Sequence, residues 1–414
     1  MPGASTSRPC ANVLDRIRGV LRHNDPPAYD TIQQRLAIHF PPLDGIRGVA
    51  ILLVMAEHLF FFSPQKNWEL PIAWLLRTGW IGVDLFFVLS GFLITGVLLN
   101  SKGAPHFFKN FYMRRVLRIF PVNYLYLGCF TLGILYLTHF SDGAANEKAR
   151  EAISELPWVW LYSTNILIAK RGAFITSSIN QFWSLAIEEQ FYLVWPALVF
   201  NLSRERLLKF CGMSIVLSLL FRLIISLTCE NHEIINHVLT VARLDQFCCG
   251  DLVALLLRSP ENIVKSCAKW TAPFLTCSLL MVVLCEWLKR GIGFDIGYVD
   301  TVEYTFSGFS FAALICSVML ADASSTIYRI FSFSKIRHLG KYSYALYIIR
   351  FSLLIASNWI LWHRLGNYSM FLSNDILAVV FRGTIVGVIS FMIAWLSWRF
   401  FEKPFLNLKK YFVD

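Results

Sequence analysis

Long apolar stretches recur along this chain, and they constrain its fold more than any other feature of the sequence. Ten of them hold about 20 residues each, enough for an α-helix to cross the ~30 Å hydrocarbon core of a membrane. They lie at residues 45–63, 78–99, 119–139, 182–200, 207–227, 237–257, 270–288, 304–321, 343–364 and 376–400. Because 56% of the 414 residues are hydrophobic and only 16% are charged, a soluble core could not hold them all. The sequence therefore predicts an all-α membrane protein with about ten transmembrane helices.

This pattern divides the chain into three regions. A basic tail covers residues 1–42, a ten-span membrane domain covers 43–405, and a short tail covers 406–414. The first tail has no apolar targeting segment, so no cleavable signal peptide is expected. Its residues 12–22 fit either a basic amphipathic helix on the inner leaflet or a flexible tail. An eleventh apolar run, at 156–168, is too short to span, and we expect it to form one interfacial or re-entrant helix.

Basic residues divide unevenly between alternate loops, which indicates how the spans are oriented. One set of loops, together with both tails, holds 25 Lys and Arg, whereas the other set holds 9. Lys and Arg are enriched on the cytoplasmic side of membrane proteins, so both termini are predicted to be cytoplasmic. Most of the net charge of +11 thus records orientation, and no nucleic-acid partner is needed to explain it.

Charged side chains also fall inside the predicted spans. Each would cost about 2.5–3.5 kcal/mol at the bilayer centre on insertion scales, so these groups must pair with one another or line a wet cavity. At about 1.5 Å per residue, six ionisable groups come out at one depth in the outer third of the membrane. They are His58, Asp84, Glu188, Arg222, Arg243 and Arg382. Buried pairs of this kind are often only structural, but six groups in one layer favour a polar chamber.

A second polar concentration lies at the predicted cytoplasmic face. Asp44 and Arg47 begin the first span, and Arg114, Arg115 and Arg118 precede the third. A stop signal for membrane insertion explains these arginines equally well. Arg115 and Arg118, however, share a helix face at i and i+3, so their guanidinium groups are placed to bind one phosphate or pyrophosphate.

The ten cysteines show no spacing typical of a metal site, so we expect no bound metal. Cys229 and Cys285 are the two that lie near the predicted outer face, and their pairing stays open.

Four segments resemble motifs of the acyltransferase-3 family of polytopic membrane O-acyltransferases. They are LDGIRGVA at 43–50 with the following His58, GWIGVDLFFVLSGFLI at 79–94, RRVLRIFP at 114–121, and FWSLAIEEQFYLVWP at 182–196. Weaker similarities occur at 243–251, 339–347 and 401–404, so the resemblance runs in order over nearly the whole chain.

The resemblance implies transfer of an acyl group, commonly acetyl, from cytoplasmic acyl-coenzyme A to a hydroxyl, most often on a sugar or glycoconjugate. It places the protein in a bacterial inner membrane, in contact with lipid. Acyl-coenzyme A enters as a donor substrate, and no permanently bound cofactor is implied. Some family members continue into an extracytoplasmic esterase-like domain, and we expect none beyond Asp414.

The resemblance, together with the charges in the spans, assigns the site residues. The catalytic residues are His58 and Glu188, and Arg115, Arg118 and Arg47 hold the donor. We assign the acceptor to Asp84, Glu189, Tyr192, Arg222, Arg243 and Arg382. Many family members carry a His in the ninth span where this chain has Arg350, so a role given to that His does not transfer to this chain.

A mechanism follows from these residues. His58, which is the one histidine at the depth of the predicted chamber, would take the proton of the acceptor hydroxyl. Glu188 would orient the His58 ring, since Glu57 points about 100° away around the helix. A buried Arg or a backbone N–H would stabilise the oxyanion.

Two other classes of function stay open at this point. A secondary transporter of a small anion or sugar would also need buried charges, although the chain shows no internal repeat. A flippase or polymerase of a lipid-linked oligosaccharide would use the outer chamber but has no evident need of the cytoplasmic arginines. The sequence leaves the acceptor, the acyl chain length and the oligomeric state undetermined.

Overall fold

Every regular element in the described part of the chain is a helix. The computed structural model describes residues 28–140, 143–176, 178–289, 296–365 and 376–412. The helices are α1 Tyr29–Ala37, α2 Pro41–Leu59, α3 Leu70–Arg77, α4 Ile81–Ser101, α5 Phe107–Phe140, α6 Ala144–Trp160, α7 Thr164–Arg171, α8 Phe182–Asn201, α9 Arg204–Thr228, α10 His232–Val238, α11 Thr240–Leu256, α12 Glu261–Trp287, α13 Ile296–Leu320, α14 Thr326–Ser332, α15 Ser334–Leu365, α16 Ile376–Ser397 and α17 Lys403–Asn407. Short 3-10 or π segments flank several of them. Residues 1–27 of the predicted tail, including the segment 12–22, lie outside the described residues.

The ten predicted apolar stretches are helical over most of their length, which confirms the all-helical prediction; the stretch 237–257 includes the end of α10 and all of α11. Six described helices are long and apolar enough to cross a membrane. Helices α1 and α2 meet at a bend of 64°, and the number rises to seven if this pair forms one span. Helix α11 is too short for that test, with 17 residues, and carries Arg243, Asp245 and Asp251. Arg243 pairs with Asp84 and Asp245 pairs with Arg222, both inside the protein, so α11 need not be apolar throughout. The chain is an integral membrane protein, and the count of ten spans stays a prediction.

The run at 156–168 differs from its prediction. It forms parts of two helices, α6 and α7, which meet at a turn where Tyr162 has a φ of 51°. The fully buried carboxylate of Glu155 on α6 accepts hydrogen bonds from Arg171 on α7 and from the backbone N–H of Thr176, 3.1 Å away. The prediction of one short helix is therefore wrong. Two helices meet at this turn, and the buried Glu155 carboxylate joins them.

Helices α2 and α15 pack along one another at very close range. A Cβ atom on Gly340 of α15 would lie 1.8 Å from the carbonyl oxygen of Asp44 on α2, so only glycine fits at this crossing. The contact sets two helices side by side, with Arg47 near the start of α2, His58 near its end, and Tyr347 and Arg350 on α15.

Helices α4 and α11 make a similar crossing, in which a Cβ atom on Gly250 would lie 1.9 Å from the carbonyl oxygen of Val88. Around this crossing the core is filled by fully buried rings, and Phe247 stacks on Phe87 at 4.8 Å and on Phe191 at 4.4 Å between ring centroids. These rings pack α4, α8 and α11 together.

Candidate active site

Two polar cavities lie between these helices. The first, which we call the arginine cavity, has a volume of about 130 Å³, and its polar lining is Arg47, Ser90, Arg115, Arg118, Ser184, Glu188, Tyr192, Ser343, Tyr344 and Tyr347. The second, which we call the histidine cavity, has a volume of about 650 Å³, and its polar lining includes Glu57, His58, Arg77, Asn180, Gln181, His237, Glu286, Lys289, Asp300, Tyr304, Tyr347 and Arg350. Val83 and Tyr347 line both cavities, so the two share a wall.

The arginine cavity brings together the three arginines that the sequence assigns to the donor. Arg115 and Arg118 come from α5, and Arg47 comes from α2, where its Nη1 donates to Asp44 Oδ1 at 2.9 Å. The Arg115 guanidinium lies 5.8 Å from the centroid of the Tyr192 ring. Three cations at one small opening are an arrangement suited to phosphate groups.

Glu188 lies in the arginine cavity and not beside His58. Its Oε1 accepts a hydrogen bond from Ser90 Oγ at 3.4 Å, and its Oε2 accepts one from Tyr192 OH at 3.2 Å. The predicted orientation of the His58 ring by Glu188 is therefore wrong. The depth estimate put both groups in one layer, whereas α8 turns the Glu188 side chain toward the arginines.

His58 faces the histidine cavity with its side chain 25% exposed. Its Nδ1 donates to the carbonyl oxygen of Val54, 2.7 Å away and one turn earlier on α2. The ring also meets Phe351 edge-on, at 4.7 Å between centroids. Because Nδ1 carries the hydrogen, Nε2 of the neutral ring is the acceptor, as a general base requires.

Glu57 shares the histidine cavity with His58, contrary to the expectation that it points away. One of its carboxylate oxygens lies 3.8 Å from His58 Nδ1. Consecutive residues of a helix point about 100° apart. The cavity is wide enough that Glu57 and His58 both line it despite this angle.

A cluster of charges that the sequence did not assign to the site closes another side of the histidine cavity. Lys289 lies 3.0 Å from Glu286 and 2.9 Å from Asp300, and it also contacts Glu303. Burial lowers the pKa of Lys289, but Asp300 and Glu303 more than offset this and raise it above its usual value. These residues lie at span ends, where sequence reasoning treats charges as boundary markers.

Aromatic rings and a second histidine complete this cavity. Trp80, Trp183, Tyr304 and Phe351 contribute rings, and Trp80 meets Tyr304 edge-on at 5.5 Å between centroids. His237 Nδ1 lies 3.1 Å from Tyr304 OH. The expectation that His58 is the one histidine at this depth is therefore wrong, since α10 turns His237 inward from a predicted span boundary.

Three of the predicted acceptor residues form structural ion pairs instead. Arg243 pairs with Asp84, which also accepts from Ser307 Oγ at 2.5 Å, and all three are buried. Arg222 pairs with Asp245 at 2.8 Å and donates to the carbonyl oxygen of Thr301 at 3.0 Å. Asp84, Arg222 and Arg243 lie outside both cavities. A depth estimate places residues along a helix axis but not around it. These three side chains point toward neighbouring helices, so the prediction that the six groups share one chamber is wrong.

The other predicted acceptor residues also separate. Tyr192 lines the arginine cavity, while Glu189 lies outside it on the next position of α8. Arg382 is half-buried on α16, outside both cavities. Of the predicted acceptor residues, Tyr192 is thus the one placed at a cavity, and that cavity is the one with the arginines.

The shared wall is held firmly. Tyr347 OH contacts Ser184 Oγ and lies 3.3 Å from the carbonyl oxygen of Gln181. The Arg350 guanidinium lies 4.0 Å from the centroid of the Tyr347 ring, on the side of the histidine cavity. The Tyr347 ring is thus fixed from both α8 and α15.

Within the described part of the chain, one cluster of possible metal ligands does form, although the sequence spacing predicts none. Donor atoms of Cys211, Cys248 and Asp251, all fully buried, lie within 4.8 Å of one another. Asp251 Oδ1 accepts from Thr95 Oγ1 at 2.5 Å. The expected absence of a metal therefore stays a prediction. Cys229 and Cys285, whose pairing was open, are free thiols.

Comparison with known families decides the class of protein. Residues 41–399 match the family model described as an acyltransferase domain, the acyltransferase-3 family that the sequence motifs resemble. This chain belongs to that family. The match covers α2 to α16, and so includes both cavities of the acyltransferase.

Several curated bacterial proteins are similar to this acyltransferase. The peptidoglycan O-acetyltransferase OatA of Listeria monocytogenes is 27% identical over 91% of this chain and 58% of its own length. The putative peptidoglycan O-acetyltransferase YrhL of Bacillus subtilis is 28% identical over 88% of this chain and 55% of its own length. A putative O-acetyltransferase of Staphylococcus aureus is 28% identical over 89% of this chain. The chain thus spans just over half the length of these relatives, and no solved structure matches it significantly.

Proposed function

We propose that this protein moves an acyl group, acetyl in the simplest case, from acyl-coenzyme A to a hydroxyl of a sugar or glycoconjugate. The observation that carries the proposal is the shared wall: a cavity with three arginines and a cavity with a histidine base meet at Val83 and Tyr347. A transferase that takes donor and acceptor from opposite sides needs such a meeting point.

The arginine cavity is the donor side in this proposal. Coenzyme A carries phosphate groups that Arg47, Arg115 and Arg118 would bind. Arg47 and His58 are eleven positions apart on α2, or about 16 Å along the helix axis. The extended pantetheine arm of the donor would cover this distance and bring the thioester to the wall.

The histidine cavity is the acceptor side. Its rings offer apolar faces to the CH groups of a sugar, and its charged groups offer partners for hydroxyls. The names of the relatives suggest peptidoglycan as the acceptor. Peptidoglycan lies outside the cytoplasmic membrane, which agrees with the predicted orientation of ten spans, cytoplasmic termini and an outward-facing His58.

The chemistry would follow the geometry of His58. Its Nε2 takes the proton of the acceptor hydroxyl while that oxygen forms a bond to the thioester carbonyl carbon. Collapse of the tetrahedral intermediate breaks the carbon–sulfur bond, and the thiolate of coenzyme A leaves and receives the proton that His58 took. Atoms and charge balance without a further reactant.

Purified protein in detergent or nanodiscs, given acetyl-labelled acetyl-coenzyme A and soluble peptidoglycan fragments, tests the proposal. We expect label in the fragments as an alkali-labile ester, together with release of free coenzyme A. Fragments from peptidoglycan already fully O-acetylated serve as a control, because they lack the free hydroxyl.

Transport of the labelled compound into proteoliposomes without any covalent product would contradict the proposal. Release of coenzyme A with label appearing in a different class of glycan would keep the transferase and replace the acceptor.

A further inference from the structure

We propose that Arg350 is a further catalytic residue, whose guanidinium stabilises the oxyanion that forms on the thioester carbonyl. The inference rests on the proposed function, because it assigns a role within the same reaction. It concerns a residue for which the sequence offered no role.

Arg350 lies where the two cavities meet. It follows the wall residue Tyr347 by one turn of α15 and lines the histidine cavity. Its guanidinium lies 4.0 Å from the centroid of the Tyr347 ring and 4.9 Å from that of Phe351. The Phe351 ring in turn contacts the ring of His58. A carbonyl carbon placed between the wall and His58 would therefore have Arg350 beside it.

The hydrogen bonds of Arg350 leave donors for a ligand. Its side chain is buried, with the residue 2% exposed, and one N–H donates to the carbonyl oxygen of Tyr347. Its Nε is buried without a hydrogen-bond partner in the described part of the chain. No carboxylate among the described residues forms an ion pair with it, whereas the buried Arg222 and Arg243 each have one.

A buried cation without a counter-ion destabilises a folded protein. Glu57 lines the same cavity and interacts with Arg350 electrostatically, but at more than ion-pair distance. A negative charge that forms directly beside the Arg350 guanidinium would therefore be stabilised. An oxyanion that forms during acyl transfer is such a charge, and donors fixed in advance stabilise it without reorganisation.

The other cations of the histidine cavity are less suited. Lys289 already contacts three carboxylates, so its charge is satisfied. Arg77 is half-buried on α3, where its guanidinium lies 5.2 Å from the Phe61 ring centroid. Among the described cations of this cavity, Arg350 is the one that stacks on the wall.

In the reaction, the acceptor oxygen bonds to the carbonyl carbon and the carbonyl electron pair moves onto oxygen. The guanidinium of Arg350 donates N–H bonds to that oxyanion. When the pair returns, the bond to the sulfur of coenzyme A breaks and His58 gives the proton that it took to the leaving thiolate. Arg350 and His58 both end the cycle unchanged.

The test compares Arg350→Met, Arg350→Ala and Arg350→Lys in the assay with labelled acetyl-coenzyme A and peptidoglycan fragments. Loss of one oxyanion donor lowers kcat by about 10²- to 10³-fold. We expect that loss in Arg350→Met with the KM for the donor little changed. Guanidinium ion added at millimolar concentration should restore part of the rate in Arg350→Ala, since it can enter the vacated space.

Arg399→Met is the matched control. Arg399 also stacks on aromatic rings, 5.4 Å from the centroid of Trp395, but it is exposed and lies outside both cavities. It should keep wild-type kcat. Gel filtration and thermal unfolding report whether each variant folds.

Two results would overturn the assignment. One is an Arg350→Met variant with kcat within threefold of wild type, and the other is a folded Arg350→Ala variant that guanidinium does not rescue. Misfolding of every Arg350 variant would also overturn it in favour of a structural role. Failure of the wild-type protein to transfer acetyl at all would instead reject the proposed function, so the two failures are distinguishable.

Discussion

At the scale of single residues, His58 owes its orientation to the backbone of its own helix. Its Nδ1–H is held by the carbonyl oxygen of Val54, so no carboxylate is needed to select the tautomer. The same bond leaves Nε2 as the acceptor of the neutral ring, which contacts Phe351 and lines the histidine cavity. A base held in this way depends on the regularity of α2 between Val54 and His58.

We expect His58→Ala to lower the rate of acyl transfer by about 10²- to 10⁴-fold, the usual contribution of a positioned general base. The measurement is the initial rate of ester formation at saturating donor. Glu57→Gln is the comparison variant, and its loss should be smaller, because Glu57 is 3.8 Å from Nδ1 and is not the group that holds the ring. A larger loss in Glu57→Gln than in His58→Ala would mean that the base has been misassigned.

The buried pair of Asp84 and Arg243 gives a second expectation. Arg243→Met alone leaves a buried carboxylate without its partner and should destabilise the fold by about 3–5 kcal/mol. Asp84→Asn combined with Arg243→Met should recover much of that loss, which thermal unfolding in detergent measures. If Arg243→Met instead stays as stable as wild type and raises the KM for the acceptor, the sequence-based role in acceptor binding would return.

These residues also mark how far sequence could predict the site. The motifs placed Arg47, Arg115 and Arg118 correctly in one cavity, because two of them share a helix face and the third begins a neighbouring span. Depth along a helix, however, says nothing about rotation around its axis. Asp84 and Glu188 were predicted at equal depth, yet one is enclosed by Arg243 and Ser307 and the other faces the arginines.

At the scale of helices, the crossing of α2 and α15 determines whether the two cavities can share a wall. Gly340→Ala would place a Cβ atom 1.8 Å from the carbonyl oxygen of Asp44 and 2.9 Å from the backbone nitrogen of Gly48. Overpacking of this kind typically costs about 1–3 kcal/mol, and both contacts are to backbone, which yields little. We expect a lower Tm and reduced transfer in this variant.

Gly212→Ala is the matched control for that experiment. It lies within α9, where no atom outside the helix's own backbone comes within 4 Å of the added Cβ. Alanine stabilises a helix interior relative to glycine by about 0.5–1 kcal/mol. The control should therefore keep or raise the Tm. Equal losses in the two variants would show that the crossing is looser than the structure indicates.

Sequence predicted the helices well and their short connections poorly. A long apolar stretch is a strong local signal, so the predicted stretches are helical over most of their length. Glu155 joins the helices on either side of the break between α6 and α7 by its contact with Arg171, sixteen residues away, and such a contact leaves no local pattern. The sequence also does not predict His237 in the site. The apolar pattern makes it the first residue of a span, whereas it lies on the separate short helix α10.

At the scale of the whole molecule, the wall between the cavities sets the size of the group that can pass. Val83 and Tyr347 line both cavities, and the arginine cavity beside them has a volume of about 130 Å³, which suits a short acyl chain. We expect the wild-type protein to prefer acetyl- over octanoyl-coenzyme A. Discrimination by added methylenes is worth about 1–3 kcal/mol each.

Tyr347→Ala would remove the ring and should narrow this preference at least tenfold, measured as the ratio of kcat/KM for the two donors. Tyr347→Phe keeps the ring and should retain the preference. An unchanged ratio in Tyr347→Ala would place the length filter elsewhere, for example among the rings around the arginine cavity.

The predicted topology is testable at the same scale. A reporter inserted after Gly103 or Ser203 should read cytoplasmic, and one inserted after Gly143 or Asn231 should read extracytoplasmic, because the flanking basic residues favour that alternation. Protease protection in inside-out vesicles provides an independent measurement. The same side for Gly103 and Gly143 would remove α5 from the set of spans.

The fixed ring of Tyr347 also bears on how well the membrane around this protein holds back ions. Water-lined hollows that approach each other from opposite faces of a membrane form most of an ion channel. In the predicted orientation, Tyr347, with its contacts to Ser184, Gln181 and Arg350, would separate the two cavities and block the passage of ions. A cell that keeps many copies of this protein in its membrane would depend on that barrier to hold its proton gradient. The substitutions that widen the passage for larger groups should thus also make the membrane leak.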